Sequence, residues 1–394
     1  MNILFVTRYP ITDQKGGIER ISDIITGALP EQYKVFSAYI NESPHKKTPV
    51  EASICINNDP ISLYEFAKQH KIDIIINQQC QEWDHFISLI KERLDNLKTI
   101  YFQHDKTIEP YKPLKESFKY ALSADLPTKS KLVYFSKWAL FPIYFHLKKF
   151  RDKLLFRKIY NNNDKLLILT ERYLPDILKT IGISSDDQHR IGVVNNCLTI
   201  ANPSVTPILS RPRKVLIVSR MTEERKRILL AIKIWDMLQA KYPELNIWQL
   251  ELVGSGEYLS FYRRYVKKHA VPNIIFAGQV SNIENHYASS QIFMMTSYAE
   301  GWGLTVTEAQ QYGVIPVAFD SYEAINDLIS SGYNGVLADE GNIMEYVDSL
   351  ADLMSSNEKR ATLSSNAYKS CSKFSVEKIT NQWINTFKDV SSIK

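Results

Sequence analysis

Residues 300–316 read Glu-Gly-Trp-Gly-Leu-Thr-Val-Thr-Glu-Ala-Gln-Gln-Tyr-Gly-Val-Ile-Pro, and they are the strongest indication of the fold in this sequence. It follows an apolar run, Ile292 to Met295, which is typical of a buried parallel strand. The spacing predicts a short helix over Thr305 to Tyr312, stopped by Gly313, and a further strand over Ile315 to Phe319. A strand, a loop, a helix and a strand in this order place a binding crevice at the carboxyl end of a parallel sheet.

Two carboxylates, Glu300 and Glu308, bracket the start of that predicted helix. A helix N-terminus presents free N–H groups and partial positive charge, which suits an anion. Carboxylates accept hydrogen bonds from hydroxyl groups, such as those of a ribose. The pattern therefore predicts a phosphate held between two hydroxyl-bearing groups, which is the plan of a nucleotide sugar. The alternative is structural: Glu300 is then a turn residue, and Glu308 is stabilised by the helix dipole.

The same residues resemble the Glu-x7-Glu signature of retaining glycosyltransferases of family 4, a family with the GT-B fold. The match includes the Glu-Ala pair at 308–309 and Gly313 with Pro316. This resemblance implies that Glu300 holds hydroxyls of the transferred sugar and that Glu308 holds the ribose. It also implies donor contacts from the loop and the helix start, Gly301, Gly303, Leu304 and Thr305.

Length and composition set the broad class. A chain of 394 residues is too long for one ordinary core, so two domains are expected. An apolar content of 44% and a charged content of 23% are typical of a soluble globular protein. The net charge of +5 permits anionic partners, and no nucleic-acid partner is expected. Four scattered cysteines, no charged leader and no apolar run of bilayer length together favour the cytoplasm.

The first domain opens like a Rossmann-type unit. The apolar strand Asn2 to Thr7 precedes a polar loop that ends in Gly16 and Gly17, and apolar residues then recur at helical spacing. No Gly-x-Gly-x-x-Gly directly follows the strand, which argues against a dinucleotide oxidoreductase. The resemblance implies that Gly16 and Gly17 let the backbone lie close to the donor phosphate and sugar. The alternative is a plain turn before a helix.

A histidine follows a later strand of this domain. The strand predicted over Thr99 to Phe102 leads into His104, and a side chain just past a strand end faces the crevice of an α/β sheet. The resemblance implies that His104 contacts the donor sugar. By itself, such a histidine is as readily a structural hydrogen-bonding residue. Residues 77–79, at the end of the preceding strand, are polar and are candidates for the acceptor side.

Residues 143–160 form the most unusual surface stretch, between strands predicted over Lys131 to Phe135 and Leu166 to Thr170. Four apolar residues fall on one helical seam, whereas Phe145, Phe156 and Ile159 fall off it. The pattern predicts a basic amphipathic helix. This helix either contacts an anionic membrane surface or packs on the domain with its basic face in solvent. The seam is Ile143, Leu147, Phe150 and Leu154, and the basic residues are Lys148, Lys149, Arg151, Lys153, Arg157 and Lys158.

The second domain begins with a β-branched strand, Lys214 to Val218, followed by Arg220 and then Lys226. Breaking the bond between a sugar and a diphosphate leaves negative charge on the leaving group, and cations held there stabilise the transition state. The two residues resemble the Arg-x5-Lys pair of the family, which implies this role for Arg220 and Lys226. Alternatively, they belong to a solvated charge run at a helix start, since Arg225 and Arg227 flank Lys226.

A second glycine loop follows the strand predicted over Glu251 to Val253. Gly254 and Gly256 resemble family residues near the nucleotide base and diphosphate, although Gly-x-Gly alone is a weak signal. No Asp-x-Asp motif, which would hold a divalent cation against a diphosphate, occurs in the chain. We therefore expect no metal site and no cofactor other than the nucleotide sugar as co-substrate.

These elements predict an α/β protein with two Rossmann-like domains, and the resemblance implies that the domains face each other across a cleft, as in the GT-B fold. The first domain is 1–200, and the proline-rich segment 201–213 is the linker. The resemblance implies that the second domain, 214–372, binds the nucleotide sugar. The tail, 373–394, has helical spacing. The resemblance to GT-B proteins implies that it crosses back onto the first domain.

The implied activity is transfer of a hexose from a nucleotide diphosphate sugar to an acceptor hydroxyl with retained anomeric configuration. Glu300, Arg220, Lys226 and His104 are the expected catalytic residues. The expected setting is bacterial surface polysaccharide or lipopolysaccharide synthesis, with a saccharide or lipid-linked saccharide as acceptor, in the cytoplasm or at the inner face of the membrane. The alternatives are another GT-B enzyme, an epimerase or a phosphorylase, and a non-catalytic protein that binds sugar nucleotides.

Overall fold

The computed structural model describes residues 1–13, 16–43, 48–57, 59–107, 115, 122, 128–223 and 225–393. The chain divides into two compact units. The first comprises Met1–Ile108, Lys148–Thr199 and Phe374–Lys394, and the second comprises Glu109–Leu147 and Ile200–Lys373, as far as these ranges are described. The predicted first domain, 1–200, included 109–147, whose described part the structure groups with the second unit.

The described helices are α1 Gly17–Ala28, α2 Pro60–Gln69, α3 Asp84–Lys91, α4 Thr128–Ala139, α5 Phe141–Asn162, α6 Leu174–Ile181, α7 Ile228–Lys241, α8 Leu259–His269, α9 Glu284–Ala288, α10 Leu304–Gln311, α11 Ile325–Leu328, α12 Ile343–Ser355, α13 Asn357–Ser370 and α14 Val376–Ser392. Local capping explains several of their starts. Asp59 accepts a hydrogen bond from the Ile61 N–H of α2, and Ser375 accepts one from the Lys378 N–H of α14.

A parallel sheet forms the centre of the first unit, and its strand order is β3-β2-β1-β4-β5-β6-β7. The central strands β4 and β5 are buried along nearly their whole length because helices cover both faces of such a sheet. The chain order reverses between β1 and β4, which are hydrogen-bonded neighbours. The strands are β1 Asn2–Thr7, β2 Lys34–Tyr39, β3 Ala52–Cys55, β4 Ile74–Gln78, β5 Lys98–Gln103, β6 Lys165–Ile168 and β7 Ile191–Val193.

The C-terminal helix α14 packs in the first unit. Its Trp383 ring lies 6.1 Å from the Phe5 ring of β1 and 5.4 Å from the Phe102 ring of β5, measured between centroids. Phe387, one turn further on, lies 5.7 Å from Tyr33. Both aromatic side chains are buried, so the apolar face of α14 is held by the core of the first domain. This confirms the predicted return of the tail.

The prediction of a strand over Lys131 to Phe135 is wrong, because these residues lie within helix α4. A short apolar and aromatic run fits a strand and a buried helix equally well when only its composition is known. In the structure, Tyr134 and Trp138 lie one helical turn apart and pack together against the buried Phe141. On a helix, residues four apart lie only about 6 Å from each other along the axis, whereas in a strand they would be about 13 Å apart and could not both contact Phe141.

A second parallel sheet forms the centre of the second unit, with the strand order β10-β9-β8-β11-β12-β13. Buried tryptophans, Trp235 of α7 and Trp248 before β9, pack in the core on this sheet. The chain order reverses between β8 and β11, so the loops that follow these two strands leave the same edge side by side. The strands are β8 Lys214–Val218, β9 Gln249–Val253, β10 Ile274–Gly278, β11 Ile292–Met295, β12 Ile315–Asp320 and β13 Val336–Asp339.

Candidate functional site

The glycine loop after β11 is shaped by Gly303, the N-cap residue of α10. Its φ of 105° lies in the left-handed region, and a Cβ there would come within 2.6 Å of the Tyr322 hydroxyl. Only glycine fits this position without strain. The carbonyl of Gly303 accepts the Val306 N–H at 2.9 Å, and Leu304 and Thr305 form the half-buried first residues of the helix. Their N–H groups belong to the helix end that has no partner within the helix.

An ion pair joins the two loops at this edge of the sheet. The Lys226 ammonium donates a hydrogen bond to Oε1 of Glu300, and the two side chains are 28% and 18% exposed. The loop that carries Lys226 is fixed by Thr296, just after β11. The Thr296 hydroxyl donates to the carbonyls of Lys226 and Arg227, each at 3.0 Å. The sheet thus brings together two residues that are 74 positions apart in sequence.

The neighbouring arginine serves a different purpose. Arg227 bonds both oxygens of Glu340, at 2.5 and 3.0 Å, and donates from Nε to the Thr296 carbonyl at 2.6 Å. Its guanidinium also lies 5.1 Å from the centre of the Phe319 ring. A planar guanidinium suits this combination of a bidentate ion pair and a ring contact. Of Lys226 and Arg227, Lys226 is therefore the one that the structure places against Glu300.

Arg220 follows β8 and is exposed, and its loop packs on the glycine loop that follows β9. A Cβ at Gly254, whose φ is 136°, would lie 1.9 Å from the Ser219 carbonyl oxygen. A Cβ at Gly256 would lie 2.5 Å from the Met221 carbonyl oxygen. The N–H of Met221 donates to the Ser255 carbonyl at 2.9 Å. The two glycines thus permit close packing of the backbone that carries Arg220.

Substituting Gly254 tests this packing. We expect Gly254→Ala to lower the melting temperature by on the order of 10 °C, because the new Cβ overlaps the backbone at Ser219. The matched control is Gly278→Ala, since Gly278 also has a positive φ, of 75°, but has no neighbouring atom within 4 Å of a Cβ. In this control, stability falls only by the cost of placing alanine at a positive φ, about 1–2 kcal/mol. Equal melting temperatures for the two variants would contradict the packing role.

Glu308 is buried, with 2% of the residue exposed. Its Oε2 accepts a hydrogen bond from the Tyr287 hydroxyl at 2.8 Å. The Tyr287 ring stacks on Tyr312 with 6.0 Å between centroids, and the Tyr312 hydroxyl donates to Glu284 at 2.7 Å. Glu308 therefore lies in the first turns of α10 as expected, within a network of tyrosines that the sequence did not reveal.

The loop between Arg220 and Lys226 also holds a buried carboxylate, Glu223, that sequence reasoning missed. Its Oε2 accepts the Leu229 N–H at 2.9 Å and the Tyr262 hydroxyl at 2.7 Å. Glu223 thus satisfies a free N–H in the first turn of α7 and ties the loop to α8. Burial raises the pKa of Glu223 from its usual 4.5 to about 7, although these hydrogen bonds oppose the rise.

This buried carboxyl group predicts a pH-dependent stability. Because its pKa is higher in the folded than in the unfolded protein, its contribution is fully present below pH 4.5 and is lost as the pH rises through about 7. The loss corresponds to about 3 kcal/mol. We expect Glu223→Gln to be more stable than the parent at pH 8 and close to it at pH 4, by urea unfolding. The exposed Glu257→Gln is the control. A stability difference between the parent and Glu223→Gln that does not vary with pH would contradict the prediction.

In the first unit, His104 lies just past the end of β5 and is buried. Its Nε2 lies 2.5 Å from Oε1 of Gln78, the last residue of β4, and its ring lies 4.1 Å from the Phe102 ring. Its backbone N–H donates to the Gln79 side chain at 2.9 Å. Burial lowers the pKa of His104 to about 3, so the imidazole is neutral at physiological pH. A neutral imidazole can take part in hydrogen bonding but supplies no charge.

The predicted first-loop glycines lie at the start of α1. Gly16 is the N-cap residue, its carbonyl accepts the Arg20 N–H at 3.2 Å, and both Gly16 and Gly17 are exposed. A Cβ at Gly16 would come within 2.5 Å of the Glu19 carboxylate. This loop follows β1, and His104 follows β5, so both lie at the carboxyl edge of the first sheet, on either side of β4.

Among the residues that the structure describes, no group of three or more His, Cys, Asp and Glu side chains is arranged to hold a metal ion. No helix in this part of the chain combines the length and the apolar character that crossing a bilayer requires.

Known proteins with similar sequences are glycosyltransferases. An uncharacterized glycosyltransferase of Haemophilus influenzae is 28% identical over 48% of this chain and 54% of its own length. The poly(glycerol-phosphate) alpha-glucosyltransferase of Bacillus subtilis is 25% identical over 60% of this chain and 34% of its own length. The chain thus spans about half or less of the length of these curated relatives.

A solved structure extends the likeness to the whole chain. HepE of Anabaena, crystallised in complex with UDP, is similar with a TM-score of 0.72 at 18% identity, over 98% of this chain and 100% of HepE. Residues 201–370 match the family model described as glycosyl transferases group 1. Two parallel α/β units and this structural likeness lead to one assignment: the chain has the GT-B fold.

Proposed function

We propose that this protein is a retaining glycosyltransferase of family 4 that moves a hexose from a nucleoside diphosphate sugar to an acceptor hydroxyl, without a metal ion. The observation that carries the proposal is the Lys226–Glu300 ion pair beside the start of α10. A cation, a carboxylate and a helix N-terminus lie together where β8 and β11 end, which is where α/β sheets bind nucleotides.

The diphosphate is the part of the donor that this arrangement suits best. The N–H groups of Leu304 and Thr305, at the start of α10, are proposed to face a phosphate oxygen. Lys226 supplies a point charge, and the exposed Arg220 supplies a planar fork. When the bond between the sugar and the diphosphate breaks, negative charge develops on the leaving phosphate. These groups stabilise that charge in the transition state.

The sugar and the ribose are assigned to the two carboxylates. Glu300 is proposed to accept hydrogen bonds from hydroxyls of the transferred hexose, and Glu308 from the ribose. In the proposed front-face displacement, the acceptor oxygen bonds to the anomeric carbon on the side from which the diphosphate leaves. The acceptor proton passes to the leaving phosphate oxygen, so no protein nucleophile is needed.

His104, Gly16 and Gly17 are proposed to contribute from the first unit. His104 is held by Gln78 and is neutral, so it suits a hydrogen bond to a sugar hydroxyl better than the stabilisation of charge. Gly16 and Gly17 leave the start of α1 without side chains, which suits a close approach of a donor group to the backbone.

The proposed setting is bacterial surface polysaccharide or lipopolysaccharide synthesis in the cytoplasm, with a saccharide or lipid-linked saccharide as acceptor. It is supported by the B. subtilis relative, named as a poly(glycerol-phosphate) alpha-glucosyltransferase, and by the UDP complex of HepE. These are properties of those proteins, and they make UDP-sugars the first donors to try.

The test begins with thermal shifts in a panel of UDP-, GDP- and ADP-sugars, because a ligand of the folded state raises the melting temperature. With the donor found, free nucleoside diphosphate is measured with and without a pool of saccharide acceptors. We expect acceptor-dependent release that EDTA does not reduce. Loss of release with EDTA would refute the metal-independent mechanism. Binding of a donor without release under any acceptor would favour a non-catalytic protein.

A further inference from the structure

Helix α5 presents two apolar faces, and only one of them is packed. At about 100° per residue, Phe141, Phe156 and Ile159 share one side of the helix, and all three are buried. The opposite side carries the predicted seam, which the structure leaves in contact with solvent. Its members are 55–65% exposed: Ile143 61%, Leu147 65%, Phe150 64% and Leu154 55%. Phe156 and Ile159, which fell off the predicted seam, are thus among the residues that hold the helix to the protein.

This exposed seam is part of a wider concentration of apolar surface. Eight of the twenty large apolar side chains that are exposed in the described part of the chain lie within 128–162. Scattered single residues of this kind are normal on a protein surface, but a cluster of them marks a contact for another molecule. Besides the seam, the cluster includes four residues of α4 and the turn after it, Leu132, Val133, Phe135 and Leu140.

The charge of the same segment indicates what that molecule is. Basic side chains far outnumber acidic ones in residues 128–162, where the one acid, Asp152, is buried and bonded to Lys148 at 2.6 Å. The whole chain, by contrast, has a net charge of only +5. The basic character of this protein is therefore concentrated on the two helices that expose apolar side chains.

The arrangement on α5 adds a geometric argument. By helical spacing, Arg151 and Lys158 flank the seam on one side, and Lys153 and Arg157 flank it on the other. An apolar strip about 16 Å long between two basic borders matches the acyl boundary and the anionic headgroups of a bilayer surface. A protein partner would have to combine an apolar ridge with acidic borders, which the exposed apolar face of a second copy does not offer.

We propose that the seam of α5, Ile143, Leu147, Phe150 and Leu154 with its basic borders, docks on the surface of an anionic lipid bilayer. The helix lies in the plane of the interface and does not cross the membrane. The surface is distinct from the proposed donor site and does not depend on the sugar chemistry. It would bring the protein to a membrane whether or not the acceptor is lipid-linked.

The experiment is sedimentation of the full chain with phosphatidylcholine vesicles, with or without phosphatidylglycerol, and without any nucleotide sugar. The apolar variant is Leu147→Asn, Phe150→Asn and Leu154→Asn together. The basic variant is Arg151→Gln, Lys153→Gln, Arg157→Gln and Lys158→Gln together. The controls make the same number and kind of changes at exposed positions elsewhere. They are Val205→Asn, Leu209→Asn and Ile247→Asn together, and Lys179→Gln, Lys267→Gln, Lys268→Gln and Lys388→Gln together.

We expect the parent and both controls to sediment with anionic vesicles, less so at high salt, and not with neutral ones. The apolar variant and the basic variant should each bind anionic vesicles at least about 10-fold more weakly than the parent, because both the apolar and the charged contacts contribute to binding. Circular dichroism and the thermal shift with UDP should match the parent in both variants. These readouts separate a fault in folding, or in the proposed donor binding, from the loss of the membrane contact.

Three outcomes would overturn the proposal. One is that the apolar variant or the basic variant binds anionic vesicles as strongly as the parent does. Another is equal binding of the parent to neutral and anionic vesicles, which would leave the basic borders without a function. The third is a dimeric parent that binds no vesicles and becomes monomeric in the apolar variant, as measured by light scattering, which would assign the seam to a second copy.

Discussion

Replacing Glu300 by alanine is expected to lower kcat by a factor on the order of 1000 while the donor still binds. The carboxylate is proposed to hold hydroxyls of the transferred sugar, and in this structure it holds the Lys226 ammonium. The variant therefore loses both the sugar contact and the group that positions the cation. The measurement is turnover with the donor identified in the panel, together with donor affinity by thermal shift.

Glu340→Ala is the matched control for Glu300. Glu340 also forms an ion pair with the loop that follows β8, through Arg227, but its side chain is 38% exposed. We expect a change of a few-fold at most in this control. If Glu300→Ala turned over as fast as Glu340→Ala, the glycine loop after β11 would not be part of the reaction site.

The second large effect is expected at Lys226. Lys226→Ala should lower kcat by a factor on the order of 100 or more, because the ammonium is proposed to stabilise the charge on the leaving phosphate. Lys233→Ala is the control, since Lys233 is an exposed lysine on the helix that follows the same loop. Turnover of Lys226→Ala at the level of this control would remove Lys226 from the mechanism.

The contact between the two side chains adds a stricter test. Residues that act as a unit show losses that are far from additive. We therefore expect the double variant Lys226→Ala with Glu300→Ala to be about as slow as Glu300→Ala alone. Multiplied losses, on the order of 100 000-fold, would indicate that the two groups act independently and that their ion pair has no part in the reaction.

Local patterns were enough to predict much of the second domain. The apolar run Ile292 to Met295 predicted strand β11, and residues 300–316 predicted the turn at Gly303 and helix α10, because burial and tight turns restrict which residue types can occur. Strand β8, which precedes Arg220, was predicted from its β-branched residues in the same way. The return of the tail onto the first unit followed from the family resemblance and is confirmed by Trp383 against Phe5 and Phe102.

Other features had no local signal. The run at Lys131 to Phe135 fits a strand as well as a helix, and only its packing with Phe141 decides between them. The sequence contained no sign that Glu223 is buried or that Tyr287 bonds Glu308. In each of these cases the deciding contact is made only once the chain has folded.

From the sequence itself follow most of the alternation of strands and helices, the positions where the backbone must turn, and the residue types at the sheet edges, since these depend on neighbours along the chain. Only the tertiary structure decided that Lys226, and not Arg227, meets Glu300, because strand order places β8 beside β11. It also decided which apolar face of α5 is packed and which is left to solvent. Helical spacing separates the two faces, but only contacts with the rest of the protein determine which of them is buried.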